Sequence, residues 1–426
     1  MLLIYADNTS PRLQYICRFI FEEVLKISFS LTRHAESFVS YEGVKINYSQ
    51  ADVPGAYSIV PHQLLFETGI SDQPITSSGE GAGAVFFKNT EGDHPFDIFC
   101  AAFFLLSRYE EYLPHEKDMY GRYAHENSTA FHNGFLDIPI INNWIRDLAD
   151  KLRRHSPLMP FNPATFNFLP TYDIDMAWSY KEKGIIRNAA GFLIRPERAR
   201  LSVLSGFRAD PFDSYGFLDT LHSKYALQPL YFFLVAEKNG IYDKNILPSN
   251  KAMQGLIRSH VEKYNIGLHP SWQTFENVAI LTREKSMLEN ISRQKITAAR
   301  GHYIKMSLPG TYTELSSAGI TDDYSMGYGS INGFRASVAS SFFWYDLSEE
   351  KVTTLRVHPF CFMDANCFYE EKLSPEESYS ELMHYYTTCR DVGGTLITVF
   401  HNNFLGTDKQ FAGWRELYTA FISQLP

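Results

Sequence analysis

Cysteine is scarce in this chain. The five present, at 17, 100, 361, 367 and 389, form no pair at metal-binding spacing, which removes disulfide frameworks and zinc ribbons and suits a reducing compartment. Basic charge is also short: 39 Lys and Arg against 48 Asp and Glu give a formal net charge of -9, whereas a nucleic-acid binder would show a basic face. No apolar run approaches the ~20 residues needed to cross a bilayer. The longest, Ile98 to Leu106, reads as a buried helix, with Pro95 or Asp97 near its start and Pro114 after its end. Low-complexity tracts and internal repeats are missing. The opening MLLIYADNTSPRLQY lacks the basic start, apolar core and small-residue cleavage site of a signal peptide, so the expected location is the cytoplasm.

What is present is a folded composition, 45% hydrophobic and 20% charged, with 33 Phe and 26 Tyr raising the aromatic share to 15%. A chain of 426 residues exceeds one ordinary core, so two domains are expected. LLIYA reads as a buried strand, and Ser10 with Pro11 as a helix N-cap and first-turn proline. Leu13, Ile16, Cys17, Ile20 and Val24 then trace the stripe of a core-facing helix. GVKINYS and GAVFFK read as short strands, 96–113 as the buried helix and INNWIRDLADKLRRH as another. The Pro- and Asn-rich 156–166 is the candidate boundary, dividing the chain into 1–160 and 161–426.

Beyond the boundary the pattern alternates. TFNFLPT, PLYFFLVA, NIGLHPS, HYIKMS, TTLRVHPF and GTLITVFHN read as strands, with helices expected over 250–264, 281–295, 310–318 and 374–391. Apolar strands separated by helices predict a parallel sheet covered by helices, with enough strands to close a barrel. In such folds the site lies at the carboxyl ends of the strands.

Those ends carry ionisable groups. The first strand closes on Asp173 and Asp175 and the third on His269; the fourth carries Arg300, His302 and Lys305; the last ends in His401, Asn402 and Asn403. Each alone has a bland explanation, a turn-capping carboxylate or a hydrogen-bonded histidine. Together they offer carboxylate and imidazole donors for a zinc-like ion with one position left for water. A second carboxylate and a distant histidine remain as base and acid.

In this order the motifs resemble the polysaccharide deacetylase family (carbohydrate esterase 4, NodB-homology), over roughly 165–405. TYDID is similar to its first motif, which implies Asp173 as catalytic base and Asp175 as metal ligand. IGLHPSWQ is similar to its second, which implies His269 as a ligand and places Gln273 where the family has another histidine. ITVFH implies His401 as general acid. The arginine that steers the base falls on Arg300 in ARGHY or on Arg335 in GFRAS, and His302 is the candidate for the third ligand. PGTYTELSSAGITDDYSMGYGSINGFRAS is similar to a divergent bacterial subgroup that carries an extra amino-terminal domain.

The resemblance implies an α/β chain with a distorted, incomplete (β/α) barrel of about seven parallel strands, preceded by a separate α/β domain. It implies hydrolysis of an N- or O-acetyl group on a sugar or glycan precursor, with a divalent metal, zinc first, as cofactor. Trp272, Tyr324, Arg335 and Asn402 are the candidate substrate contacts. No nucleic-acid partner and no membrane span are expected. The alternatives are a catalytically inactive barrel that binds carbohydrate, favoured by Gln273, and hydrolysis of an amide outside sugars.

Overall fold

The computed structural model describes residues 1–425 except 161, 163, 164, 185–187, 190, 192 and 194–197. The boundary expected over 156–166 therefore lies partly outside the described residues. Two sheets organise the described residues. The first is parallel throughout: β1 (Leu2–Ala6) lies between β2 (Phe29–Thr32) and β3 (Val44–Tyr48), and β4 (Tyr57–Ser58) follows β3. Ser10 caps the helix Pro11–Cys17 by accepting from the Leu13 N–H at 3.0 Å, and the chain continues as a π-helical turn over Arg18–Val24. Leu13, Ile16, Cys17 and Ile20 are buried, as their spacing predicts.

Two expectations for this region are corrected. GAVFFK is not a strand: Val85 and Lys88 make only single bridges, to Ser78 and Phe96, because Phe87 at φ 57° turns the chain between them. The helix expected over 96–113 stops early. Its residues Ile98–Leu106 are all buried and Asp97 caps them, but Arg108 takes φ 55° and a 3-10 turn follows over Tyr109–Tyr112. The Arg108 side chain enters a buried charge cluster instead, its Nε 2.7 Å from Glu111.

The second sheet holds β5 (Asn167–Ile174), β6 (Leu230–Phe233), β7 (Asn265–Leu268), β8 (Ala298–Ala299), β9 (Asp322–Asp323), β10 (Phe342–Asp346), β11 (Lys351–Val357), β12 (Phe362–Met363) and β13 (Thr395–His401), in the order β10-β11-β9-β8-β7-β6-β5-β13-β12. Every pairing is parallel except β10 with β11. Among the described residues it is an open sheet with β10 and β12 as edges and no closed barrel, where the resemblance implies an incomplete one. Helices Lys251–Val261, Val278–Ser292, Gly310–Ser317 and Pro375–Asp391 fall where the sequence places them. HYIKMS is not a strand: the strand is the two-residue β8 just before it, and His302–Ile304 is a 3-10 turn. No helix among the described residues is long and apolar enough to cross a membrane.

One hydrophobic cluster runs through both sheets, and ion pairs of buried arginines cross between them. Arg12 pairs with Glu350 at 2.5 Å, and Arg335 reaches Glu111 through Nε at 2.8 Å and Nη2 at 2.6 Å. Burial alone would raise the Glu111 carboxyl, but Arg335 and Arg108 outweigh it and hold the group at about 2. Replacing Arg335 with methionine leaves that carboxylate with one cationic partner; a loss of about 3–5 kcal/mol in denaturant unfolding is expected.

Candidate metal centre

The parallel strands deliver their carboxyl-end residues to one edge of the sheet, where ligands of open α/β sheets bind. β5 and β13 pair with His401 opposite Asp173. His269 follows β7, Arg300 follows β8 and Asp364 follows β12. Gly267 lets β7 come close to its neighbours, since a Cβ there would lie 2.6 Å from the Phe232 ring and 3.0 Å from the Ala298 carbonyl.

Asp175 is the hub. His269 Nε2 stands 2.9 Å from its Oδ1, and the Nε2 atoms of His302 and His401 each stand 3.5 Å from its Oδ2. The remaining ring nitrogens fix the tautomers. His269 Nδ1 donates to the Arg300 carbonyl at 2.5 Å, His302 Nδ1 to Asp243 at 2.9 Å and His401 Nδ1 to Asp364 at 2.6 Å. A carbonyl or carboxylate only accepts, so each Nδ1 carries a proton, and Nε2, bare when the ring is neutral and protonated when it is cationic, is the nitrogen that faces Asp175. Asp175 Oδ1 has no hydrogen-bond donor. Lone pairs facing one another across 2.9 Å require a proton or a cation between them. Asp175, His269 and His302 offer donor atoms within 4.8 Å of one another.

The charges follow. Burial opposes ionisation of Asp175, but His302 and His401 outweigh it and hold the carboxyl well below the usual range. Burial likewise opposes protonation of the imidazoles. The Asp175 and Asp243 carboxylates override it to push His302 up to about 9, and Asp364 with Asp175 push His401 up to about 10.

Asp173 lies beside the hub, 2% exposed, with Oδ1 held by Arg300 Nη1 at 2.8 Å and Oδ2 3.8 Å from His269 Nε2. Arg300 is fully buried; its Nε donates to the Tyr324 carbonyl at 3.0 Å, and its guanidinium lies 4.5 Å over the Phe232 ring. Of the two candidate arginines, the one on Asp173 is Arg300, because Arg335 is engaged by Glu111.

A cleft of about 650 Å³ opens above these groups, with Tyr120, Tyr242 and Tyr303 on one wall and Met176, Met363 and Phe404 among its other residues. The four substrate contacts read from the sequence stand elsewhere. Arg335 is buried at Glu111. Trp272 stacks on Tyr242 at 4.1 Å with the Lys305 ammonium 4.7 Å over its ring, so the ring lining the cleft is Tyr242. The Tyr324 ring stacks on His358 at 4.4 Å and meets Arg300 only through its carbonyl. Asn402 donates to the Met176 and Phe212 carbonyls and supports the cleft from behind.

Two carboxylates that hold the histidines escape the sequence reading. Asp364 follows a strand of only two residues, yet it obeys the same strand-end rule that singles out Asp173. Asp243 lies in a loop with no such signal; it also accepts from the Trp272 N–H at 2.9 Å and from Gln273 Nε2 at 3.2 Å. Gln273, the departure that favours the inactive alternative, therefore donates to the carboxylate that holds His302 Nδ1.

Residues 2–157 match a family of unknown function, DUF7033. No curated protein matches the chain. Among solved structures, a polysaccharide deacetylase candidate from Mycobacterium smegmatis is 14% identical with a TM-score of 0.41, over 62% of this chain and 86% of that one. Puue allantoinase is 12% identical with a TM-score of 0.39, over 61% and 84%. The polysaccharide deacetylase Bc1974 from Bacillus cereus is 10% identical with a TM-score of 0.32, over 61% and 88%. Similarity this low carries no weight for function.

Proposed function

We propose that the chain is a metal-dependent hydrolase that removes an acetyl group from an amino sugar or related glycan. The observation carrying this reading is the convergence of tautomer-locked imidazoles on Asp175, beside a second carboxylate held by a buried arginine. The donor set fits a divalent cation: carboxylate oxygen and imidazole nitrogen suit zinc, and also cobalt, nickel or manganese, and outer carboxylates orient the imidazoles as in known metal sites. Asp175, His269 and His302 would hold the ion. When bound, it would polarise the acetyl carbonyl and lower the pKa of a water.

Asp173 takes the proton of the attacking water, and Arg300 fixes the direction in which its carboxylate faces. The water oxygen bonds to the acetyl carbon, the carbon–nitrogen bond breaks, and His401 gives its Nε2 proton to the departing amine. Asp364, holding Nδ1, keeps that proton on the side of the cleft. The tyrosine wall gives a pyranose ring an apolar face to lie against. The test is acetate release from zinc-loaded protein with N-acetylated chitooligosaccharides, expected to vanish on chelation and return with zinc. Sugar binding without zinc-dependent acetate release would favour the inactive carbohydrate-binding alternative.

The metal-free protein carries a predictable pH response. His302 and His401 have raised folded-state values, so their contribution to stability is complete below about 6.5, the ordinary histidine value. It is lost as pH rises through about 9 and about 10. Zinc bound at His302 Nε2 must displace a proton below about 9. Calorimetry in buffers of different ionisation enthalpy is expected to show proton release at pH 7 and affinity that increases with pH.

A further inference from the structure

Residues 117–123 of the amino-terminal region form a hairpin that reaches the second sheet. A bridge between Lys117 and Tyr123 closes it. Asp118 ties the turn, accepting from the Tyr120 and Arg122 N–H groups at 2.9 Å each and from Arg122 Nε at 2.6 Å. Arg122 Nη1 then donates to the Tyr303 carbonyl at 2.7 Å, while Lys305 Nζ donates back to the Tyr120 carbonyl at 2.5 Å. Charged hydrogen bonds running in both directions thus grip the short turn that carries His302.

That turn needs a grip. Tyr303 at φ 59° and Ile304 at φ 53° are left-handed, a conformation that a β-branched residue rarely adopts and that persists only where surroundings over-determine it. Arg122 is 4% exposed. It reaches the turn through space that only glycine leaves: a Cβ at Gly329 would lie 2.0 Å from its Nη1. Tyr120 packs its ring on Tyr303 at 5.4 Å and on Tyr242 at 6.1 Å, on the cleft wall.

We propose that the 117–123 hairpin completes the metal centre, with Arg122 the positioning residue that holds the His302 turn in its ligand conformation and Tyr120 part of the substrate-facing wall. The inference rests on the metal-centre reading and extends it to the region whose family has no known function. A site whose third ligand is set from the amino-terminal region cannot be complete in residues 161–426 alone.

The test compares R122Q with R12Q in the full-length protein. Both remove a buried arginine that joins the amino-terminal region to the second sheet, but Arg12 pairs with Glu350, away from the site. Two readouts are used: zinc affinity by calorimetry, and amide hydrogen exchange over 301–306. R122Q is expected to weaken zinc by about tenfold or more and to speed exchange over 301–306, with R12Q within about twofold of wild type on both. K305M removes the reciprocal bond and is expected to act in the same direction, and it decides the matter if R122Q does not fold. Wild-type zinc affinity and exchange in folded R122Q and K305M would overturn the proposal, as would equal effects in R12Q. If wild-type protein binds no zinc, the metal reading fails and the exchange comparison alone decides the hairpin's role.

Discussion

Asp173→Asn is expected to keep zinc bound while lowering acetate release by about 10²–10⁴-fold, the range for loss of a general base. The expectation follows from how the two Asp173 oxygens are used. Oδ1 is engaged by Arg300, whereas Oδ2 faces the centre without touching an imidazole, 3.8 Å from His269 Nε2. Asparagine keeps the shape and still accepts from Arg300, so the fold and the ligand set survive. It has no basic carboxylate oxygen to receive the water proton. Metal content and initial rate measured on one preparation separate these effects. Full activity in the variant would return Asp173 to the bland role of a strand-end cap.

Asp175→Asn is expected to remove metal binding itself. All three Nε2 atoms face this carboxylate, so its charge is what balances a cation among imidazoles. Zinc affinity is expected to fall at least about 100-fold, the upper end of what outer-shell changes alone cost. The metal-free protein gives a second readout. Asp175 helps hold His302 at about 9 and His401 at about 10, so both imidazole titrations should move down in the variant. Asp243 and Asp364 keep each from falling freely. NMR titrations unchanged from wild type would show that Asp175 is not the hub.

The site's core was legible because it obeys a local rule. Asp173, His269 and His401 each terminate or follow an apolar strand, and parallel pairing brings such ends together. His302 was legible as a residue but not as a conformation. Alternation of His302, Ile304 and Met306 reads as a strand, whereas the chain is held in a left-handed turn by Arg122, a residue 181 positions away from Tyr303. No local pattern encodes a contact of that span. Aromatic identity misled in a similar way: Trp272 has the composition of a sugar platform, but stacking with Tyr242 takes it off the cleft wall. Arg335 likewise has the residue type of a steering group. Its partner, Glu111, lies in the other region of the chain. Strand count alone does not decide closure, which depends on pairing between β10 and β12; both remain edges, so the sheet is open, as an incomplete barrel is, with nine strands where about seven were expected.

The most direct test is zinc titration of metal-stripped wild-type protein alongside His302→Ala, followed by calorimetry and elemental analysis. A centre built from Asp175, His269 and His302 predicts one zinc per chain at micromolar affinity or tighter in wild type, with that binding lost in the variant. No zinc at micromolar concentration in wild type, or equal binding in His302→Ala, would contradict it.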